Sequence, residues 1–149
     1  MIFSKACEYG IRATIYIAQQ SLNNNRVSLK LIAAEIDSPE AFTAKILQML
    51  AKNGILNSSK GAKGGFEIKV NDLKKIKLMD IALAIEDNLK DKACVLGLKE
   101  CSKSNPCPVH HKYKNIRKDI FEMLKNTTLE EMSNSVNINL SYLKNLESI

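Results

Sequence analysis

The 149-residue sequence contains no apolar run approaching the roughly 20 residues that a membrane-spanning helix requires. Its opening stretch, Met1 through Arg12, lacks the uninterrupted apolar core and cleavage site of a secretory signal, because Lys5, Glu8 and Arg12 interrupt the pattern. No membrane association is expected, and cytoplasmic residence is the default expectation. A nucleophile elbow, a pair of acids at recognisable spacing and a substrate-pocket motif are all missing, so no enzymatic role is expected. The Gly-rich stretch Gly61-Ala62-Lys63-Gly64-Gly65 lacks the Gly-Lys-Ser/Thr that opens a helix in a nucleotide-binding P-loop. Acidic residues are also short: 16 Asp and Glu against 22 Lys and Arg, a net charge of +6. That excess suits a polyanionic partner, although a solvated lysine surface would account for it equally, and position must decide.

What is present suits one domain, or one compact domain with an oligomerisation arm. A chain of this size buries roughly 68–70% of its unfolded surface and needs no disulfide to fold. Ile2, Phe3, Ala6, Tyr9, Ile11, Ala13, Ile15, Ile17 and Ala18 give a mostly apolar face at helical spacing, ending before Asn23-Asn24-Asn25. Ser28 then caps a short helix in which Leu29, Ile32, Ala33 and Ile36 recur at i, i+3, i+4 and i+7. Asp37-Ser38-Pro39 reads as a turn and a helix start, with Pro39 at the first helical position. The third helix runs to about Lys52, with Phe42, Ile46, Met49 and Leu50 facing inward, and Asn53-Gly54 closes it.

Two helices joined by a tight turn fit a helix-turn-helix, and equally a helical hairpin of any α-domain. The segment that follows tips the balance. Ile55–Lys60 and Phe66–Val70 have strand-like composition and flank the basic, Gly-rich stretch, which predicts a β-hairpin. A hairpin placed directly after a candidate recognition helix is a wing, whose Lys60 and Lys63 can approach phosphates or a narrow minor groove.

Lys77–Glu86 reads as a further helix packed back on the core. Residues 87–109 lose helical periodicity, and a loop longer than about 15 residues is usually functional or disordered. His111–Lys125 regains an apolar stripe in Ile116, Ile120, Phe121 and Leu124; on an arm beyond a small domain such a stripe calls for a second copy of the chain. Thr128 and Glu131 can form a capping box for a short last helix. The predicted architecture is mostly α with a small β-hairpin wing: a winged helix-turn-helix domain over 1–86, a cysteine-rich cofactor loop over 87–109, a dimerisation helix and short last helix over 110–132, and a tail without assigned structure over 133–149.

The loop holds Cys94, Cys101 and Cys107 at Cys-x6-Cys-x5-Cys spacing, with His110 three residues further on. In a reducing compartment such a cluster points to metal ligands or redox sensors rather than structural disulfides. Three soft thiolates suit iron-sulfur chemistry and leave one coordination place for another residue. Structural zinc is a rival because Cys3His is a legitimate tetrahedral set, although the CxxC pairs of zinc ribbons are missing. A metal-free switch in which Cys101 and Cys107 form a disulfide is a second rival. Cys7 reads as a small core residue.

The residues taken together resemble the Rrf2 family of bacterial transcription regulators, in its IscR- and NsrR-like, cluster-binding branch. The carriers are Ser4-Lys5-Ala6-Cys7-Glu8-Tyr9-Gly10-Ile11-Arg12-Ala13, Leu31-Ile32-Ala33, Ile46 through Leu56 and, most specifically, Gly61-Ala62-Lys63-Gly64-Gly65-Phe66. The resemblance spans nearly the whole chain. It implies a homodimer on double-stranded DNA, with the third helix in the major groove, wings over flanking minor grooves and a long C-terminal helix crossing the dimer. Two recognition helices would then meet half-sites roughly 34–36 Å apart or a multiple of that, on a palindromic operator.

The resemblance further implies an iron-sulfur cluster (2Fe-2S or 4Fe-4S) on Cys94, Cys101 and Cys107. Its fourth ligand would be either an acid in the first helix of the other subunit or a histidine near the third cysteine. Glu8 fits the first pattern and is preferred; His110 fits the second; His111 has less support. The interval from Cys94 to Cys101 is one residue longer than is common in such proteins, an extension that a loop accommodates. Glu40, Ala41, Thr43, Ala44 and Gln48 are candidates for base contacts, with Gln48 reading adenine and Thr43 or Ala44 meeting a thymine methyl. Lys45 is assigned to phosphate. Ser28, Ser38, Ser59, Lys60, Gly61, Lys63 and Gly64 are candidates for positioning the duplex.

Overall fold

The structure is a computed structural model that describes residues 2–87, 89 and 94–145. Helix α1 (Lys5–Leu22) begins where the Ser4 hydroxyl accepts the Cys7 N–H, and it buries Cys7, Gly10, Ala13, Thr14, Ile15, Ile17, Ala18 and Ser21. Gly10 sits where a Cβ would run into the Ile85 side chain and come within 3.1 Å of Ile46 Cγ2, so α1 lies close against its neighbours there. Helix α2 (Leu29–Glu35) is capped by Ser28, whose hydroxyl accepts the Leu31 N–H at 3.3 Å. Helix α3 (Glu40–Lys52) starts one residue later than its composition suggests: Pro39 is its N-cap, with an extended ψ of 131°, rather than its first helical residue.

Strands β1 (Asn57–Ser59) and β2 (Gly65–Glu67) form the antiparallel hairpin, in the register Asn57↔Glu67, Ser58↔Phe66 and Ser59↔Gly65. Val27 braces it from outside by exchanging backbone hydrogen bonds with Phe66 at 3.1 and 2.8 Å. Gly65, at φ +134°, passes so near that an added Cβ would stand 2.7 Å from the Val27 carbonyl oxygen. The Ser21 hydroxyl accepts the Ile68 N–H at 3.0 Å, tying the base of the hairpin to α1. A 3-10 turn (Val70–Asp72) leads to α4 (Leu78–Ile85), and beyond the cysteine loop come α5 (His110–Asn126) and α6 (Leu129–Asn137).

Residues 133–149, read as a tail, begin inside a helix. The stripe Leu129, Met132, Ser133 and Val136 has helical spacing, but a boundary placed at 132 cuts it in two. Thr128 caps α6 by accepting the Glu131 N–H at 3.1 Å, Leu129 and Ser133 are buried, and Met132, Val136 and Leu143 pack on the core. Helix α6 lies against α1, and Arg12 secures the chain beyond it by donating from Nη1 to the carbonyls of Ile36 and Leu143 at 2.8 and 3.0 Å. The short α5–α6 junction is laced to the segment before α4: Leu78 N–H to Thr127 O, Leu129 N–H to Ile76 O and Glu130 N–H to Leu73 O, at 2.8 to 3.0 Å. The last helix is therefore part of the N-terminal domain's core rather than of an arm. Leu129→Ala should cost about 2–5 kcal/mol in urea unfolding, comparable to Leu47→Ala; a loss below about 0.5 kcal/mol would show that α6 does not belong to the core.

Candidate nucleic-acid interface and cysteine site

Helix α3 buries Thr43, Ile46, Leu47 and Leu50, at i, i+3, i+4 and i+7. The face opposite carries Ala41, Lys45 and Gln48 exposed to solvent, with Glu40 at the helix start and Ala44 half-buried. Lys52 extends that row by one turn, a residue that the sequence reading left out. Thr43 requires correction. It is fully buried, and its hydroxyl bonds to Ser38 Oγ and donates to the Pro39 carbonyl at 2.8 Å, so it closes the turn between α2 and α3 and cannot reach a thymine methyl. Phe42 and Met49, read as core, are more than one-third exposed; Phe42 packs edge-on against Tyr9 with ring centroids 5.8 Å apart.

Among the positioning candidates, Ser28 is exposed with its hydroxyl engaged in the α2 cap, and Ser38 is turned toward Thr43. Ser59, Lys60, Gly61 and Lys63 lie exposed on the hairpin, with Gly64 half-buried behind them. Gly61 takes φ +99° at the turn, where the Gly64 N–H donates to its carbonyl at 2.9 Å. The arrangement presents a row of exposed side chains on α3 and a basic hairpin. It can place a helix in a wide groove and two ammonium groups along a phosphate backbone.

The loop draws its donors together as two pairs. Cys101 Sγ lies 3.1 Å from His110 Nδ1, and His110 is buried at the first turn of α5. Burial first, then the positive charges of His111, Arg117, Lys114 and Lys103, holds His110 below the ordinary histidine range, which keeps a nitrogen lone pair available at neutral pH. The Cys94 thiol is held below its ordinary range by the backbone N–H groups of Leu96 and Leu98, with further help from the Cys107 side chain and the Gly97 N–H. Backbone donors aimed at sulfur stabilise a thiolate, the form that ligates metal. All four cysteines are free thiols.

Cys7 differs from the other three. Burial, then the charges of Glu86 and Glu8, pushes its thiol up to about 12, an inert core group. Glu8 pairs with Lys5 at 3.5 Å and lines a cleft with Phe3, Arg12 and Tyr142. Among the described residues no three His, Cys, Asp or Glu side chains meet as a coordination set. The donors nevertheless fit a soft-metal cofactor in kind: three thiols, one held toward thiolate by backbone N–H groups, and an uncharged imidazole.

Helix α5 buries only His110 and Leu124, leaving Ile116 and Met123 about half exposed. With Met79, Leu83 and Leu89 it walls a groove of about 510 Å³ that also contains Phe121. Among the described residues no helix is long and apolar enough to cross a membrane.

A helix-turn-helix followed by a two-stranded wing, with a long helix beyond it, is the winged-helix arrangement of a DNA-binding transcriptional regulator. The chain belongs to the Rrf2 family, whose description is "Iron-dependent Transcriptional regulator" and whose pattern matches residues 3–145. A relative in Aquifex aeolicus (strain VF5), named as an HTH-type transcriptional regulator, is 36% identical over 137 residues, 90% of this chain and 92% of its own length. Among solved structures, CymR, the global cysteine regulator of B. subtilis, superposes with a TM-score of 0.72 at 22% identity, over 90% of this chain and 97% of its own. T. potens IscR superposes with a TM-score of 0.70 at 24% identity, over 95% and 92%. At these identities the two structures establish a shared fold.

If the hairpin contacts the duplex backbone, Lys60→Gln and Lys63→Gln should each weaken binding to unrelated duplexes alike and make the dependence of log affinity on log salt shallower by about one unit. Fluorescence anisotropy across a salt series measures this. An unchanged slope in both variants would remove the hairpin from the interface.

Proposed function

We propose that the chain acts as a homodimer on a palindromic operator, and that its operator affinity follows occupancy of an iron-sulfur site held by Cys94, Cys101, Cys107 and His110. The observation that carries this reading is the placing of the donors at one end of α5, while the other end of that helix is hydrogen-bonded into the DNA-binding domain through Thr127, Leu129 and Glu130. When bound, such a cluster supplies a centre sensitive to oxidants, nitric oxide and iron supply. The chain's own contribution is mechanical: thiols and imidazole engaged together fix the loop against the first turn of α5, and α5 carries that constraint about 25 Å to its laced end.

His110 is favoured over Glu8 as the fourth ligand. Its Nδ1 already faces Cys101 Sγ, whereas Glu8 is engaged with Lys5. A ligand from the other subunit, Glu8 of the partner subunit, is the alternative. The half-exposed stripe of α5 and its groove support a second copy as the covering surface. Base contacts are assigned to Glu40, Ala41, Ala44 and Gln48, and phosphate contacts to Lys45, Lys60 and Lys63, with Ser28, Ser38, Ser59, Gly61 and Gly64 shaping the surface that carries them.

A metal-free thiol switch has one observation in its favour, the contact between Cys94 and Cys107. A peroxide would join those two sulfurs and be reduced to water, a pairing different from the Cys101–Cys107 bond that spacing alone suggested.

Anaerobic purification followed by iron, sulfide and zinc analysis with an absorption spectrum separates these readings. Iron and acid-labile sulfide with visible absorption are expected, lost in Cys101→Ser and reduced in His110→Ala but retained in Glu8→Gln. Colourless, iron-free protein, or one equivalent of zinc, would contradict the proposal.

A further inference from the structure

Arg26 lies in neither the helix-turn-helix nor the hairpin, yet its side chain spans the hairpin lengthwise. Its Nη2 meets Glu67 Oε1 at 3.0 Å on β2, and its Nη1 donates to the Lys63 carbonyl at 3.5 Å near the tip. The next residue, Val27, is buried and holds Phe66 by two backbone hydrogen bonds, so the Arg26 backbone is fixed alongside the strand. The hydrogen bond to Glu67, then that carboxylate's charge, raises the guanidinium above its already high range.

Glu67 is the single acid between Asn57 and Lys69, a stretch that otherwise carries Lys60, Lys63 and Lys69. A bare carboxylate on a surface that approaches phosphates repels them. A guanidinium fork resting on it cancels that charge and at the same time braces the carbonyl of the residue whose ammonium extends from the tip.

We infer that Arg26 is a positioning residue of the wing: it acts on DNA binding through Glu67 rather than by touching phosphate itself. The inference rests on reading the hairpin as a DNA-contacting wing. Because the pair is exposed, with side chains 44% and 37% accessible, its loss should leave the fold intact and alter binding alone.

The test is a double-mutant cycle on a mixed-sequence 30-base-pair duplex, measured by anisotropy with thermal melting alongside. Arg26→Gln should raise Kd about 5-fold at unchanged melting temperature, about 1 kcal/mol. In a Glu67→Gln background the same change should alter Kd by less than about twofold, because nothing is left to mask. Equal losses in both backgrounds would make Arg26 a phosphate contact and overturn the inference, as would no loss in either. Lys63→Gln in the same assay reports separately on the wing: an unchanged salt slope there defeats the wing reading, whatever the Arg26 and Glu67 cycle returns.

Discussion

The buried face of α1 is the constraint on which the rest of the structure depends. One helix supplies the wall against which α3, α4 and α6 pack, and through Ser21 it also anchors the hairpin at Ile68. The absence of a side chain at Gly10 lets Ile85 of α4 and Ile46 of α3 meet over the same turn of α1. Ser4 and Glu86 close the assembly at one end, the Ser4 N–H donating to Glu86 Oε1 at 2.7 Å. Close-packed interiors transmit strain rather than absorb it, so a displacement of α6 or α4 is felt at α3 through this shared wall.

Under the proposed function, that wall would connect the cysteine site to the recognition helix. Helix α5 packs against α4, yet of its seventeen residues only His110 and Leu124 are buried. Its first turn is engaged by the Cys101–His110 contact, and its last by the lacing of the α5–α6 junction onto residues 73–78. A rigid rod held at its ends couples them with little loss. Coupling between sites typically amounts to about 1–3 kcal/mol, so in the proposed dimer a small rotation of the two recognition helices relative to each other would suffice. Arg12, bridging the carbonyls of Ile36 and Leu143, links α1 both to the C-terminal end of α2 and to the chain beyond α6.

Much of this was legible in the sequence, and the failures have physical causes. Helices α1 and α2 and the hairpin were readable because caps, apolar period and Gly-rich chemistry agree with one another there. The buried face of α3 was misjudged because Phe42 and Met49 are the more hydrophobic letters, yet the fuller stripe runs through Thr43, whose hydroxyl is satisfied by Pro39 and Ser38 and is therefore cheap to bury. Helix α6 was divided because the scattered Ile and Leu beyond Met132 show weak periodicity, whereas Ser133 is buried, its hydroxyl donating to Glu130 O within the helix at 3.1 Å. Arg26 could not be singled out from letters: its importance lies in a contact with Glu67, forty-one residues away. The donor pairing at the cysteine site was equally closed to spacing arguments, since the folding of a loop, not its intervals, decides which sulfur meets the imidazole.

Under the proposed function, the state of the cysteine site is felt at the recognition helix. The most direct measurement is the affinity of one anaerobic preparation for a selected operator duplex, taken before and after its iron is removed by chelation and again after reconstitution. A reversible change of at least about fivefold, equivalent to about 1 kcal/mol, is predicted. Equal affinity in all three states, on every duplex that the protein selects, would contradict it.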